Sequence, residues 1–246
     1  MAGGEQQGTV TETGTAKGDV TTQEPSRAQQ VVARRVAEAK ATIPELVLRA
    51  PVAMDGCVAL LARLEAQAAD DRPVPTLEDM VVRACALALR EHPRANGAYR
   101  DGRFEFYSRV NVGVVVHARD AVIVPTVFDA DQRPLGELAA TTRALAERVQ
   151  EGSITSPELG NATFTVYSLG EFGVASFAAA VIPPQAAILA VGAVEERAVV
   201  EDGAPTTGQR MDVTLTCDHR ILLGAGAGAF LARVRELLER PLDAPL

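Results

Sequence analysis

The spacing of apolar residues divides the chain into recognisable elements. Residues 1–24 carry Gly, Thr, Gln, Glu and Ala with almost no large apolar side chain, so they are predicted to be disordered. Ser26 suits an N-cap, and Val31, Val32, Arg35, Val36 and Ala39 follow helical spacing up to the break at Pro44. Residues 45–54 alternate as a strand, and Asp55 is expected to cap a helix with Val58, Leu61, Leu64 and Ala68 on its stripe. A loop at 70–75 leads to Thr76 and Asp79, spaced as a capping box, and to a helix over 77–92 that Pro93 stops. That helix is too apolar for a surface position and is predicted to be central. Asn96-Gly97 reads as a turn. Strands follow over 103–118 and 121–127, joined at Arg119-Asp120, and the run 112-VGVVVH-117 has the β-branched composition of a buried strand. A helix spans 134–152, with Pro134 near its start and Gly152 just past its end. Strands at 162–168, 187–196 and 210–219, a turn region at 201–209, and a helix from 224 to 240 before Pro241 complete the chain. Helices and strands without strict alternation predict an α/β or α+β domain on a mixed sheet.

Composition narrows the function classes. With 47% hydrophobic residues the 246-residue chain can bury a large core. A net charge of −8 with 4% aromatic residues argues against a nucleic-acid surface. No apolar run reaches the ~18 residues of a membrane span, and the start lacks the pattern of a secretory signal. The three cysteines, Cys57, Cys85 and Cys217, are widely spaced with no C-x-x-C pair, so neither a disulfide framework nor a zinc site is expected. A cytoplasmic protein with no metal, nucleic-acid or membrane partner is the expectation.

Only three residues are histidine. His92 precedes Pro93 at a helix stop and suits a partner for the helix C-terminus. His117 ends a strand beside a turn and reads as structural or exposed. His219 lies in 216-TCDHRILLGAGAGAF-230, between Asp218 and Arg220 and just before the last helix. Taken alone it is a strand-end histidine bonded to backbone, although Cys217, two residues before it, would share its strand face as a conceivable nucleophile. The Gly/Ala run at 224–229 lacks the lysine of a phosphate loop, and its small residues suit close packing at a helix start.

Four segments in order carry a family resemblance: 33-ARRVAEAKATIPEL-46, 110-VNVGVVVHARDAVIVPTVFDADQRPLGEL-138, 153-SITSPELGNATFTVYSLGEFGVASFAAAVIPPQAAILAVG-192 and 218-DHRILLGAGAGAFLARVRELLERP-241. Over residues 26–243 the chain resembles the catalytic core of the dihydrolipoamide acyltransferases, the acyl-transfer component of 2-oxo acid dehydrogenase complexes. The resemblance implies a chloramphenicol acetyltransferase-like fold, a mixed β-sheet flanked by helices, with the active site at the subunit interface of a homotrimer. It implies acyl transfer between coenzyme A and a dihydrolipoyl thiol, with His219 as general base.

Two positions depart from the family pattern. Where the family reads D-H-R-x-x-D-G, this chain reads D-H-R-I-L-L-G, so Leu223 stands in place of an acid and Gly224 follows it. The arginine that pairs with that acid then needs another partner, because a buried unpaired charge is costly. Where the family reads T-I-S-N-L-G, this chain reads 165-TVYSLG-170, so Tyr167 replaces the serine that offers its hydroxyl to the oxyanion. Ser168 is adjacent but should face the other side of the strand. Asp218 and Arg220 are expected to pair locally and shape the motif. No lipoyl domain and no small subunit-binding domain is visible in 1–246, so a lipoyl group would come on another chain, beside 2-oxo acid decarboxylase partners. Alternatives are a catalytically weakened trimeric scaffold, which Leu223 and Tyr167 suggest, and acyl transfer from coenzyme A to a small hydroxyl or amine acceptor.

Overall fold

The computed structural model describes residues 9–68, 73–118, 121–201 and 203–241. In chain order the elements are β1 (Thr9–Thr15), β2 (Gly18–Gln23), α1 (Arg27–Thr42), β3 (Glu45–Ala53), α2 (Asp55–Gln67), α3 (Leu77–Glu91), β4 (Gly97–Arg100), β5 (Arg103–Phe106), β6 (Val112–Val114), β7 (Val116–Ala118), β8 (Ala121–Ile123), β9 (Thr126–Val127), α4 (Leu135–Glu151), β10 (Phe164–Ser168), β11 (Ala187–Glu201), β12 (Ala204–Asp218) and α5 (Gly224–Glu239).

The centre is a six-stranded mixed sheet in the order β3-β12-β11-β10-β6-β9. Strands β3, β12 and β11 are antiparallel neighbours, β11, β10 and β6 run parallel, and β9 returns antiparallel to β6. One face carries the main core. There Met80, Cys85 and Leu89 of α3 and Phe230, Val234 and Leu238 of α5 pack on Val166, Leu189, Val213 and Leu215. The other face is thinner: Ala39 of α1, with Ile43, Ala179 and Val181, covers Ile188 and Ala190, with Tyr167 and Phe177 at its edge. This is the mixed α/β architecture the sequence implied.

Local chemistry accounts for the helix starts. Ser26 and Gln29 cap α1 reciprocally, and Thr76 and Asp79 do the same for α3. Gly152 ends α4 in the left-handed region at φ +69°. Asp55 does not cap α2 as expected. Met54 holds the N-cap position, and the Asp55 carboxylate instead accepts from the backbone N–H of Gln209 (2.8 Å) and from Arg210 (2.6 Å), tying α2 to the β12 strand.

Three other expectations are corrected. Residues 9–23, predicted to lack structure, form the β1–β2 hairpin. The run 112–117 is not one strand, because the chain changes partners at Val115, leaving the central sheet for a hairpin between β7 and β8. The turn region 201–209 is mostly strand. β11 and β12 pair from Ala187↔Cys217 out to Glu201↔Ala204, so only a tight turn at Gly203 (φ +81°) remains. The Arg119-Asp120 turn and residues 70–72 of the 70–75 loop lie outside the described residues.

Gly192 sets a close approach in this frame. The register shifts between Val191 and Val194, and the Ala193 N–H reaches the Val174 carbonyl at 2.8 Å. A Cβ at Gly192 would stand 2.0 Å from the Ala175 carbonyl oxygen. Gly192→Ala is therefore expected to destabilise by about 1–3 kcal/mol. Gly136→Ala, on the open side of α4 with nothing within 4 Å of its Cβ, is expected to stabilise by about 0.5–1 kcal/mol. Urea unfolding of both variants checks the contrast.

In the first turn of α3 the Glu78 carboxyl has an oxygen shut from solvent without a partner. Burial, with smaller contributions from Asp79 and Glu171, pushes its pKa up to about 7 from 4.5. A raised carboxyl pKa means that the folded state binds the extra proton. Its stabilisation is full below pH 4.5 and is lost as the pH rises through 7. Glu78→Gln is expected to raise stability at pH 8 relative to pH 5 by roughly 1–3 kcal/mol over the native chain, measured by urea unfolding at fixed protein concentration.

Candidate active site

His219 follows the last residue of β12. Its backbone N–H donates to the Pro44 carbonyl (3.0 Å), which fixes the end of the strand against the start of β3. The imidazole is exposed and makes no hydrogen bond to any described residue. The strand-end backbone bond is there, yet the ring itself is left free for chemistry.

The residues around His219 hold the turn. Asp218 is buried and accepts from Arg220 in a bidentate pair, Nε to Oδ1 at 2.9 Å and Nη2 to Oδ2 at 2.6 Å, with the Arg220 backbone N–H also on Oδ1 at 3.0 Å. The guanidinium lies over the Tyr99 ring, 4.4 Å from its centroid. Arg220 is thus held by Asp218 and Tyr99. Ile221 and Leu222 are buried and anchor the turn in the core, while Leu223 is 57% exposed at the N-cap of α5, with no side-chain cap. Within the glycine/alanine run Ala227 is fully buried in the core and a Cβ at Gly226 would stand 3.6 Å from Leu222, whereas Gly224 and Gly228 have nothing within 4 Å of where a Cβ would stand.

Cys217 is not a nucleophile. It is fully buried in the main core, its thiol bonds the Leu222 carbonyl at 3.6 Å, and burial, helped by Asp218, pushes its pKa up to about 12. His92 sits at the C-cap of α3 with its ring edge-on to Phe230.

Tyr167 lies on the thin face of the sheet, in β10, opposite Ala190 of β11. Its ring is edge-on to Phe177, with centroids 5.0 Å apart, and 5.6 Å from the ring of His117. His117 is also edge-on to Phe172 at 5.2 Å. Burial raises the Tyr167 phenol above its ordinary pKa, so it stays protonated. Ser168 is otherwise engaged: its hydroxyl accepts from the Gly170 N–H at 3.3 Å. The sequence reads His117 as structural or exposed, and the structure places it in this ring cluster. The signal available was a polar aromatic residue ending an otherwise β-branched run.

The sheet keeps His219 and Tyr167 of one chain apart. Tyr167 pairs with Ala190, and Ala190 with Thr214. His219 is five residues beyond Thr214, one past the end of the same strand. At about 3.3 Å per residue along a strand and 4.8 Å between strands, their backbones are roughly 19 Å apart. The two side chains of one copy therefore do not meet. Among the described residues no group of three or more His, Cys, Asp or Glu could hold a metal ion, and no helix is long and apolar enough to cross a membrane.

The comparisons with known proteins agree with one another. The family of 2-oxoacid dehydrogenases acyltransferases (catalytic domain) matches residues 17–246. Component 3 of the mitochondrial dihydrolipoyllysine-residue acetyltransferase of the Arabidopsis thaliana pyruvate dehydrogenase complex is 37% identical over 88% of this chain and 41% of its own length. The corresponding Rhizobium meliloti protein is 36% identical over 87% of this chain and 49% of its own. The chain thus spans half or less of these relatives. Among solved structures, the Azotobacter vinelandii dihydrolipoamide acetyltransferase superposes with a TM-score of 0.89 at 26% identity, covering 93% of this chain and 96% of that one. It was solved to investigate the role of a serine, a histidine and an asparagine in its catalytic mechanism, the serine 52 positions before the histidine and the asparagine four after it. With the family match running over nearly the whole chain, and the fold and the D-H-R turn in agreement, the chain belongs to the 2-oxoacid dehydrogenase acyltransferase family, as its catalytic domain.

Proposed function

We propose that this chain is the acyltransferase core of a 2-oxo acid dehydrogenase complex. It would move an acyl group, acetyl in the named relatives, between coenzyme A and a dihydrolipoyl thiol. The observation that carries the reading is the free imidazole of His219 at the end of a rigid turn, in the D-H-R motif. From His219 the offsets of the Azotobacter residues lead to Tyr167 and Leu223. The imidazole takes the proton of the incoming thiol, and the thiolate attacks the thioester carbonyl. The tetrahedral intermediate collapses with the proton returned to the departing sulfur, so charge and atoms balance. Coenzyme A and the dihydrolipoyl thiol are both substrates in this reading.

The separation of His219 from Tyr167 within one chain favours a site built between copies, as in a homotrimer or a multiple of trimers. The free ring of His219, the exposed Leu223 and the 61% exposed Phe172 are surface features that such a contact would cover. Partner decarboxylase subunits belong to the same reading. A second reading, a trimeric scaffold that has lost much of the chemistry, is favoured by Tyr167 and Leu223 in place of a hydroxyl donor and a polar side chain.

Acetyl transfer from acetyl-CoA to dihydrolipoamide separates the two. His219→Ala is expected to lower kcat by about 10²–10⁴-fold with the fold intact. Equal rates in the variant and the native chain would remove His219 from the mechanism, and ordinary enzyme rates for the native chain would end the scaffold reading.

A further inference from the structure

His117 is held from both ends. Its carbonyl accepts from the Gln150 side chain of α4 at 2.8 Å, and β7 pairs with β8. Its ring is then fixed between Phe172, edge-on at 5.2 Å and 85°, and Tyr167, tilted at 5.6 Å and 44°. Tyr167 is fixed from its far side by Phe177, edge-on at 82°. Four rings from three separate stretches of chain thus lock two polar rings in place.

The polar capacity of those two rings is unused. His117 Nε2 is shut from solvent with no hydrogen-bond partner. The Tyr167 hydroxyl makes no hydrogen bond to any described residue, nor does it bond to His117. A cluster meant only to fill space would be better served by apolar rings, because a polar atom buried without a partner is costly. The orphaned His117 Nε2, beside a Tyr167 hydroxyl that is not bonded either, points instead to an acceptor that the described residues do not supply. Tyr167 is also the residue at the family's oxyanion-donor position.

We propose that the His117 imidazole and the Tyr167 hydroxyl form a two-donor clamp on the carbonyl oxygen of the acyl thioester, which makes His117 a second polar group of the acyl-transfer site. This rests on the acyltransferase reading. The ring centroids stand 5.6 Å apart, and the clamp has one carbonyl oxygen bridging the two polar groups. As the thiolate adds, negative charge develops on that oxygen and both donors strengthen their hold, with no proton transferred. Rigid packing matters here because donors aimed in advance need no reorganisation during the reaction.

The test is steady-state transfer from acetyl-CoA to dihydrolipoamide by the intact chain, native and with His117→Phe, Tyr167→Phe and both. Phenylalanine keeps each ring and removes its polar atoms. Each single variant is expected to lose about 10²-fold in kcat with KM little changed, the signature of a contact made in the transition state. The double variant is expected to lose less than the product of the two, because both donors act on one oxygen. His117→Gln, which restores a donor, is expected to recover much of the His117→Phe loss. An unchanged kcat in folded His117→Phe, a change in KM alone, or no recovery in folded His117→Gln would overturn the clamp. Should His117→Phe fail to fold, Tyr167→Phe decides, and an unchanged kcat there overturns it. A native chain with no transfer activity overturns the acyltransferase reading itself, an outcome visible before any variant is measured.

Discussion

The long antiparallel ladder between β11 and β12 governs where the chemistry can occur. Its pairs run without a break in direction from Ala187↔Cys217 to Glu201↔Ala204, with one register shift near Gly192. Strand rise and spacing then place His219 at one end of the sheet and Tyr167 a strand beyond β11, several residues further along. Neither residue can move toward the other without tearing the ladder. The sheet is therefore a spacer as much as a core, and among the described residues none hydrogen-bonds the ring of His219.

The two faces of that sheet have different roles. On one, α3 and α5 make a dry core that holds Cys217 and the buried Ile221-Leu222 pair, and so fixes the turn that carries His219. On the other, a thin cover leaves Tyr167 beside His117, Phe172 and Phe177. The turn's own pairing does not involve position 223: Asp218 and Tyr99 hold Arg220, and Leu223 is exposed. The substitution changes the exposed surface at the start of α5 and not the internal pairing of the turn.

Much of this was legible in the residues. The helices α3, α4 and α5 were found to within a residue or so because capping side chains, Pro and Gly mark their ends. The D-H-R motif marked the site position. What escaped has physical causes. Asp101-Gly102, with both residues at positive φ, closes the β4–β5 hairpin. That pair is the hairpin signal here, whereas Gly97 of the expected Asn96-Gly97 turn already opens β4. The polar Thr and Gln residues at 204–209 looked like loop because they lie on the exposed end of a two-stranded ribbon, where backbone pairing needs no buried face. Residues 9–23 likewise pair as a hairpin with almost no apolar content. The ring cluster at Tyr167 was beyond reach, since His117 and Tyr167 are 50 residues apart and meet only through the parallel pairing of β10 with β6 and the break at Val115.

The central claim is that a working site takes His219 from one copy and Tyr167 from another. The most direct measurement mixes two variants, His219→Ala and Tyr167→Ala, by co-expression or by dissociation and reassembly, and assays acyl transfer against each alone. If the site forms between copies, the mixed assemblies recover activity, up to about a quarter of the native rate for random equal mixing, because some interfaces unite the intact histidine with the intact tyrosine. A mixture no more active than the two variants assayed separately, under conditions where mixed assemblies have formed, would contradict the account.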